Sequence, residues 1–155
     1  MFRIELLKKF PTAIPRLAEI WREVLGKIWM PECTLAETEQ RFRTHLNDDM
    51  LPLTFVAFSG ETPVGMCSLR ADDGLRDDLT PWLGSLVVDA QYQKQGLGKQ
   101  LIETTKEKAR TFGFHQLFLA TFDPKVATYY ESLGWEDIGT SEYSGHALTV
   151  MRTGL

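Results

Sequence analysis

Between an apolar run that ends at Val88 and a long helical pattern lies the segment Gln93-Lys94-Gln95-Gly96-Leu97-Gly98-Lys99. No other stretch restricts the fold as much. A strand, a glycine-containing turn and a helix in close succession offer unpaired backbone N–H groups at the positive end of a helix dipole, an arrangement that favours an anion. The two glycines let that anion come close to the main chain. A Walker-type phosphate loop would need another glycine five residues before Gly98, where Gln93 stands, and Ser or Thr after Lys99, where Gln100 stands. The dinucleotide fingerprint would need a glycine three residues after Gly98, where Leu101 stands. Neither nucleotide loop fits.

Hydrophobic periodicity around this loop reads as α/β. Phe2, Ile4 and Leu6 alternate with Arg3 and Glu5, the period of a half-buried strand. From residue 12 to about 29, Ile14, Leu17, Ala18, Trp21, Val24, Leu25 and Ile28 recur at helical intervals, with Pro15 in the first turn and a break expected near Gly26. Thr34 and Glu37 have capping-box spacing, and Leu35, Phe42 and Leu46 mark the inward face of a second helix running to about residue 47. Residues 53–58 and 64–69, joined by Ser59-Gly60-Glu61-Thr62-Pro63, predict an antiparallel hairpin. A polar loop over 71–80 leads to a strand at 83–88, a helix at 96–112 stopped by Gly113, and a strand at 117–120. A helix at 124–133 stopped by Gly134 and a last strand at 147–151 complete the order. One α/β domain over residues 1–155 with a mixed sheet is expected.

Composition narrows the functional classes. With 43% hydrophobic and 25% charged residues the chain should fold unaided. Seventeen basic against twenty-one acidic side chains, a formal charge of -4, lack the basic excess that nucleic-acid phosphates require. Cys33 and Cys67 form no Cys-x-x-Cys pair and have no histidine at zinc spacing, so they read as reduced core thiols and no metal is expected. No apolar run approaches the roughly 18 residues that span a bilayer, and charge appears early, which predicts a cytoplasmic protein with no membrane partner.

A second segment, about thirty residues after the glycine loop, reads Asp123-Pro124-Lys125-Val126-Ala127-Thr128-Tyr129-Tyr130-Glu131-Ser132-Leu133-Gly134-Trp135. Together with Gln93, Gly96 and Gly98 it resembles the GNAT superfamily of acetyl-CoA-dependent N-acetyltransferases. That family's loop is Gln or Arg, two residues, Gly, one residue, Gly or Ala, and its later element is Asn-x-x-Ala-x-x-x-Tyr-Glu-x-x-Gly-Phe. Here Asp123 replaces the Asn, Val126 the Ala and Trp135 the Phe. The resemblance covers about residues 83 to 135, and Glu142 through Met151 with Thr80-Pro81-Trp82-Leu83 is further similar to a bacterial branch of the superfamily. It implies a GNAT fold: a mixed, mostly antiparallel central sheet flanked by helices, with strand four bulged and splayed from strand five. It also implies an enzyme that uses acetyl-CoA as co-substrate without a metal, and leaves the oligomeric state open, a homodimer included.

The resemblance assigns roles. Main-chain groups of Leu86, Val87 and Val88 would bond the pantetheine as an added strand would. Gln93 heads the loop, Gln95, Gly96, Leu97, Gly98 and Lys99 would wrap the pyrophosphate, and Lys94 or Lys99 would add charge. The other reading of the lysines is a solvated helix end. Asp123 would orient the pantetheine or cap its helix. Tyr130 is the catalytic candidate, because a phenol of pKa near ~10 can protonate the departing thiolate; otherwise it is a core-edge tyrosine. A base is also needed, since an amine of pKa near ~10 arrives mostly protonated. Some relatives carry Glu or His in strand four, where Trp82 and Gly84 stand here, so Asp77, Asp78, Glu142, His146 or a water relay are the candidates. His45 and His115 read as structural or exposed. The loop Asp72-Asp73-Gly74-Leu75-Arg76-Asp77-Asp78, four carboxylates against one arginine, would draw a cationic small-molecule or peptide amine if it lies at the acceptor mouth. An acyl-CoA-binding sensor without turnover is the alternative to an enzyme.

Overall fold

The computed structural model describes residues 2–155. Its contacts divide the chain into two compact units, Met1–Leu69 with Ser85–Thr105, and Arg70–Gly84 with Lys106–Leu155. Strand β4 (Trp82–Val88) and helix α4 (Leu97–Thr111) contribute to both.

In the first unit the strands run in the order β1 (Phe2–Leu6), β2 (Leu53–Ser59), β3 (Thr62–Arg70), β4. The expected hairpin is present: Leu53 pairs with Leu69 and Ser59 with Thr62, antiparallel, with a bulge between Ala57 and Phe58. On this sheet lie α1 (Ile14–Trp21) and α3 (Leu35–Arg43), with the short α2 (Lys27–Trp29) between them in sequence and burying no side chain. Ile14, Leu17, Ala18 and Trp21 fall on one face of α1 at three- and four-residue spacing and are buried with Phe42, Val56 and Met66. The break expected near Gly26 is a π-helical turn, Arg22–Gly26, and the chain stays helical through it. A Cβ at Gly26 would stand 2.9 Å from the Trp21 ring, so the turn is wound against the indole.

Four expectations in this unit need correction. Ile28 is 53% exposed instead of inward, because the π turn inserts a residue and rotates the next helical turn by about 100°. The second helix ends at Arg43, with Thr44 and His45 in a turn, and Leu35 faces an open groove beside Met30 and Pro31 while Thr38 and Phe42 carry the packing. Cys67 is a buried thiol as expected, but Cys33 is only partly buried, at the corner before α3, with Sγ 3.4 Å from Thr38 Oγ1.

In the second unit the order is β4, β5 (Gln116–Thr121), β7 (His146–Gly154), β6 (Glu136–Tyr143), with α5 (Pro124–Ser132) between β5 and β6 in sequence. β5/β7 and β6/β7 are antiparallel, whereas β4 and β5 are parallel and pair at Trp82 and Phe118. The sheet is thus mixed and mostly antiparallel. Trp82, Phe118 and Val150 form the buried centre, and the Trp82 indole N–H donates to the Leu79 carbonyl at 2.8 Å. β6 has no counterpart in the periodicity: its residues EDIGTSEY bury no side chain fully, and its register shifts between Asp137 and Gly139. Among the described residues, no helix is long and apolar enough to cross a membrane, and no group of three or more ligating side chains could hold a metal ion.

Leu17 is fully buried, whereas Thr34 caps α3 at the surface with Glu37 reciprocating. Denaturant titration should therefore show Leu17→Ala costing about 2–5 kcal/mol and Thr34→Ala about 1 kcal/mol. Hydrogen bonds from the Thr34 amide, then its hydroxyl, hold the Glu37 carboxyl below its ordinary value of 4.5. Folding thus favours the carboxylate. The wild-type advantage over Glu37→Ala should be present at neutral pH and shrink as pH falls through the lowered folded value.

Candidate active site

A strand normally alternates its side chains and its hydrogen bonds without interruption. In β4 that alternation breaks at Ser85, which adopts a left-handed φ of +51°. The Trp21 indole N–H donates to Ser85 Oγ at 3.2 Å and secures the bulge from α1. Beyond it, a Cβ at Gly65 on β3 would stand 2.9 Å from the Val87 carbonyl oxygen, and the Asp89 N–H donates to the Val64 carbonyl. Val87 and Asp89 therefore turn their main-chain groups toward β3, and alternation turns those of Leu86 and Val88 the other way.

The chain then passes into the glycine loop. The Asp89 carboxylate accepts from the Gln91 amide at 3.1 Å and from the Arg16 guanidinium at 2.5 Å, so α1 also anchors the start of this turn. The Gln93 side chain donates to the Val88 carbonyl at 2.9 Å and ties the loop to the strand end. Lys94 and Gly96 are both left-handed, at φ +63° and +80°. Gln100 N–H to Gly96 carbonyl, 3.2 Å, is the first bond of α4, which leaves the amides of Leu97, Gly98 and Lys99 without an acceptor in the helix. A Cβ at Gly96 or Gly98 would meet nothing within 4 Å. The space beside these amides suits a phosphate. Leu97 presents only its amide to this space, because its side chain is buried, whereas Lys94, Gln95 and Lys99 are exposed.

In the second unit, Asp123 caps α5: its carboxylate accepts from the Lys125 amide at 2.9 Å, and its carbonyl from Val126 and Ala127. Tyr130 lies on the buried side of α5 with 6% exposure, its ring 5.5 Å from that of Trp135 and 5.6 Å from that of Tyr129. Its carbonyl accepts from the Leu133 and Trp135 amides, which close the helix at Gly134. Tyr129, next in sequence, is 44% exposed and does not pack in the core.

The model of the acetyltransferase (GNAT) family matches residues 14–135. The chain belongs to this family. Human N-acetyltransferase 8 is 32% identical over 90 residues, 56% of this chain and 40% of that protein. The chain thus matches well under half the length of this relative. Ribosomal-protein-alanine N-acetyltransferase from Brucella melitensis shares the fold with a TM-score of 0.77 at 20% identity, over 100% of this chain and 99% of that one. An aminoglycoside 6'-N-acetyltransferase complexed with coenzyme A also reaches 0.77, at 14% identity, over 98% and 96%.

The base candidates of this GNAT chain are scattered. Asp78 is gripped by Arg76 at 2.7 and 3.1 Å, which lowers its pKa, and Asp77 is exposed. Glu142 and His146 stand exposed near the tip of the β6–β7 hairpin. His45 is buried in a chain of hydroxyls, with Nδ1 2.8 Å from Thr54 Oγ1, while His115 is exposed. Sequence reasoning missed the left-handed Ser85 and the Trp21 indole that bonds it. Gly84 carried the available signal, since a glycine inside a strand marks a bulge or a close approach, and here it precedes the bulge at Ser85 and a Cβ on it would stand 2.1 Å from Arg70 Nη2.

Gly98→Asp gains a favourable charge at a helix start and meets no neighbour, so the apoprotein should keep its unfolding midpoint. The same carboxylate repels a phosphate, and calorimetric affinity for coenzyme A should fall about 100-fold or more.

Proposed function

We propose that this chain is an N-acetyltransferase that moves the acetyl group of acetyl-CoA onto a primary amine by direct attack in a ternary complex, with residues 1–155 as one catalytic domain. The observation that carries this reading is the left-handed Ser85 in β4 followed by a helix start whose glycines face open space. Family membership and a relative that is complexed with coenzyme A support it.

Acetyl-CoA would supply an activated thioester and a thiolate leaving group. Main-chain groups of Leu86 and Val88 are turned to receive the pantetheine amides, and those of Val87 keep the strand fixed to β3. Amides of Gln95, Gly96, Leu97, Gly98 and Lys99 receive the pyrophosphate, with Lys94 and Lys99 adding charge. Gln93 and Asp123 act by shaping this machinery, the first through Val88 and the second as the cap of α5. Preset N–H groups of β4 would stabilise negative charge on the reacting carbonyl oxygen, and Tyr130 would protonate the departing sulfur.

No carboxylate or imidazole occupies position 82 or 84, so the proton of the amine would pass to water or to one of Asp77, Asp78, Glu142 and His146, or the amine would arrive neutral. At pH 7 an unperturbed amine is neutral in about one molecule in a thousand. The acidic loop, four carboxylates against one arginine, would favour a cationic acceptor if it lies at the acceptor mouth, and its own hydrogen bonds hold it in shape. Asp72 and Asp73 accept from the amides of Gly74 and Leu75, and Asp78 is held by Arg76.

Tyr130→Phe keeps the ring packing and removes only the hydroxyl. Thiol release from acetyl-CoA with an amine panel should fall about 100-fold while coenzyme A affinity is retained. Coenzyme A binding with no turnover on any amine would make the chain a sensor instead.

A further inference from the structure

We propose that the outer face of the helix around the π turn is the interface of a two-fold dimer, with a second copy of this chain as its occupant. The face lies wholly within the first unit, and the inference holds whether or not the chain turns over acetyl-CoA. Glu23 and Lys27 have the spacing at which an α-helix pairs an acid with a base one turn on. The Arg22–Gly26 segment is wound as a π turn, so the two side chains leave that register. Among the described residues neither has an ion pair or a side-chain hydrogen bond, and both are exposed. On the regular helices beside them such pairs are made, Arg16 with Glu19 at 3.8 Å and Arg43 with Glu39 at 3.7 Å.

The same two charges border a groove of about 440 Å³ that Gly26, Met30, Pro31 and Leu35 also line. Met30 and Leu35 are 36% and 37% exposed, so its apolar wall is uncovered. Ile28, turned outward by the π turn, stands next to the groove as an apolar knob. A face that carries a knob, a hole and one unpaired charge of each sign is complementary to itself. About a two-fold axis the helices of two copies run antiparallel, and a position before the crossing on one meets a position after it on the other. With the crossing at Leu25, Glu23 meets the second copy's Lys27 at both ends, and Ile28 reaches the second copy's groove beside Arg22. Gly26, next to the crossing, has no side chain to hold the helices apart. A partner of one charge sign, such as a nucleic acid or an acidic peptide, would leave either Glu23 or Lys27 unanswered.

The test is sedimentation equilibrium of the full chain over a concentration series. The wild type should show a reversible monomer–dimer equilibrium that weakens as salt rises, because part of the attraction is between exposed charges. Glu23→Lys sets lysine against lysine and Lys27→Glu sets glutamate against glutamate. Each acts at both ends of the interface and should raise the dissociation constant about tenfold or more. The double variant Glu23→Lys with Lys27→Glu restores opposite signs and should return to within about threefold of the wild type. Ile28→Ser removes the knob twice over and should also weaken the dimer about tenfold or more. All three positions are exposed, so these variants should unfold at the wild-type midpoint in dilute solution. Carbodiimide treatment of mixed isotopically light and heavy chains should join Glu23 of one mass to Lys27 of the other. A wild type that is monomeric at every concentration overturns the proposal. So does a dimer unmoved by both single reversals and by Ile28→Ser, or a double variant as weak as the single ones.

Discussion

A serine held at positive φ inside a strand costs on the order of 1–3 kcal/mol and persists only where its surroundings impose it. Ser85 is imposed upon from α1, through the indole of Trp21. Trp21 is itself fixed: the Arg41 guanidinium stacks on its ring at 4.2 Å, Phe42 meets it edge-on at 6.3 Å, and the π turn closes against it at Gly26. The irregular helix of the first unit and the irregular strand are thus two ends of one arrangement. Straighten either and the main-chain groups of Leu86 and Val88 lose their direction.

Glycines divide into two kinds when the room around each Cβ position is measured. Gly26, Gly65 and Gly84 have neighbours at 2.9 Å or less, an aromatic ring, a carbonyl oxygen and a guanidinium in turn. They bring groups inside the protein together. Gly96 and Gly98 have nothing within 4 Å, as have the turn glycines Gly60, Gly74, Gly113 and Gly134, and what sets the pair apart is its place at the start of α4, where helix amides lack acceptors.

The open strand-to-helix turn at Gly96 and Gly98 was legible in the sequence, because a Gly-x-Gly at such a junction has a local physical meaning, and so was the short helix that carries Tyr130, through Pro124 at its start and Gly134 after its end. The strands β2, β3, β5 and β7 and the helices α1, α4 and α5 followed from periodicity. What stayed hidden depends on distant partners. Arg70 is one more charged residue until Gly84 is beside it. Ser85 gives no sign of its backbone until Trp21 reaches it. Ile28 obeys the helical period and is turned outward only by a π turn that no periodicity encodes. Leu35 fits the face of α3 but sits at the first turn, beyond what α1 covers.

β6 shows what a poorly patterned strand is good for. It lies at the end of its strand order, where an unpaired row of backbone groups is exposed. Glu136 is tied to Arg152, Asp137 accepts from the Gly139 amide at 2.8 Å, and the register slips between them. Acidic side chains and a kinked edge make a poor template for the strand of a second molecule. The polarity that concealed β6 from the hydrophobic pattern is also what lets this rim face a crowded solution without nucleating aggregates.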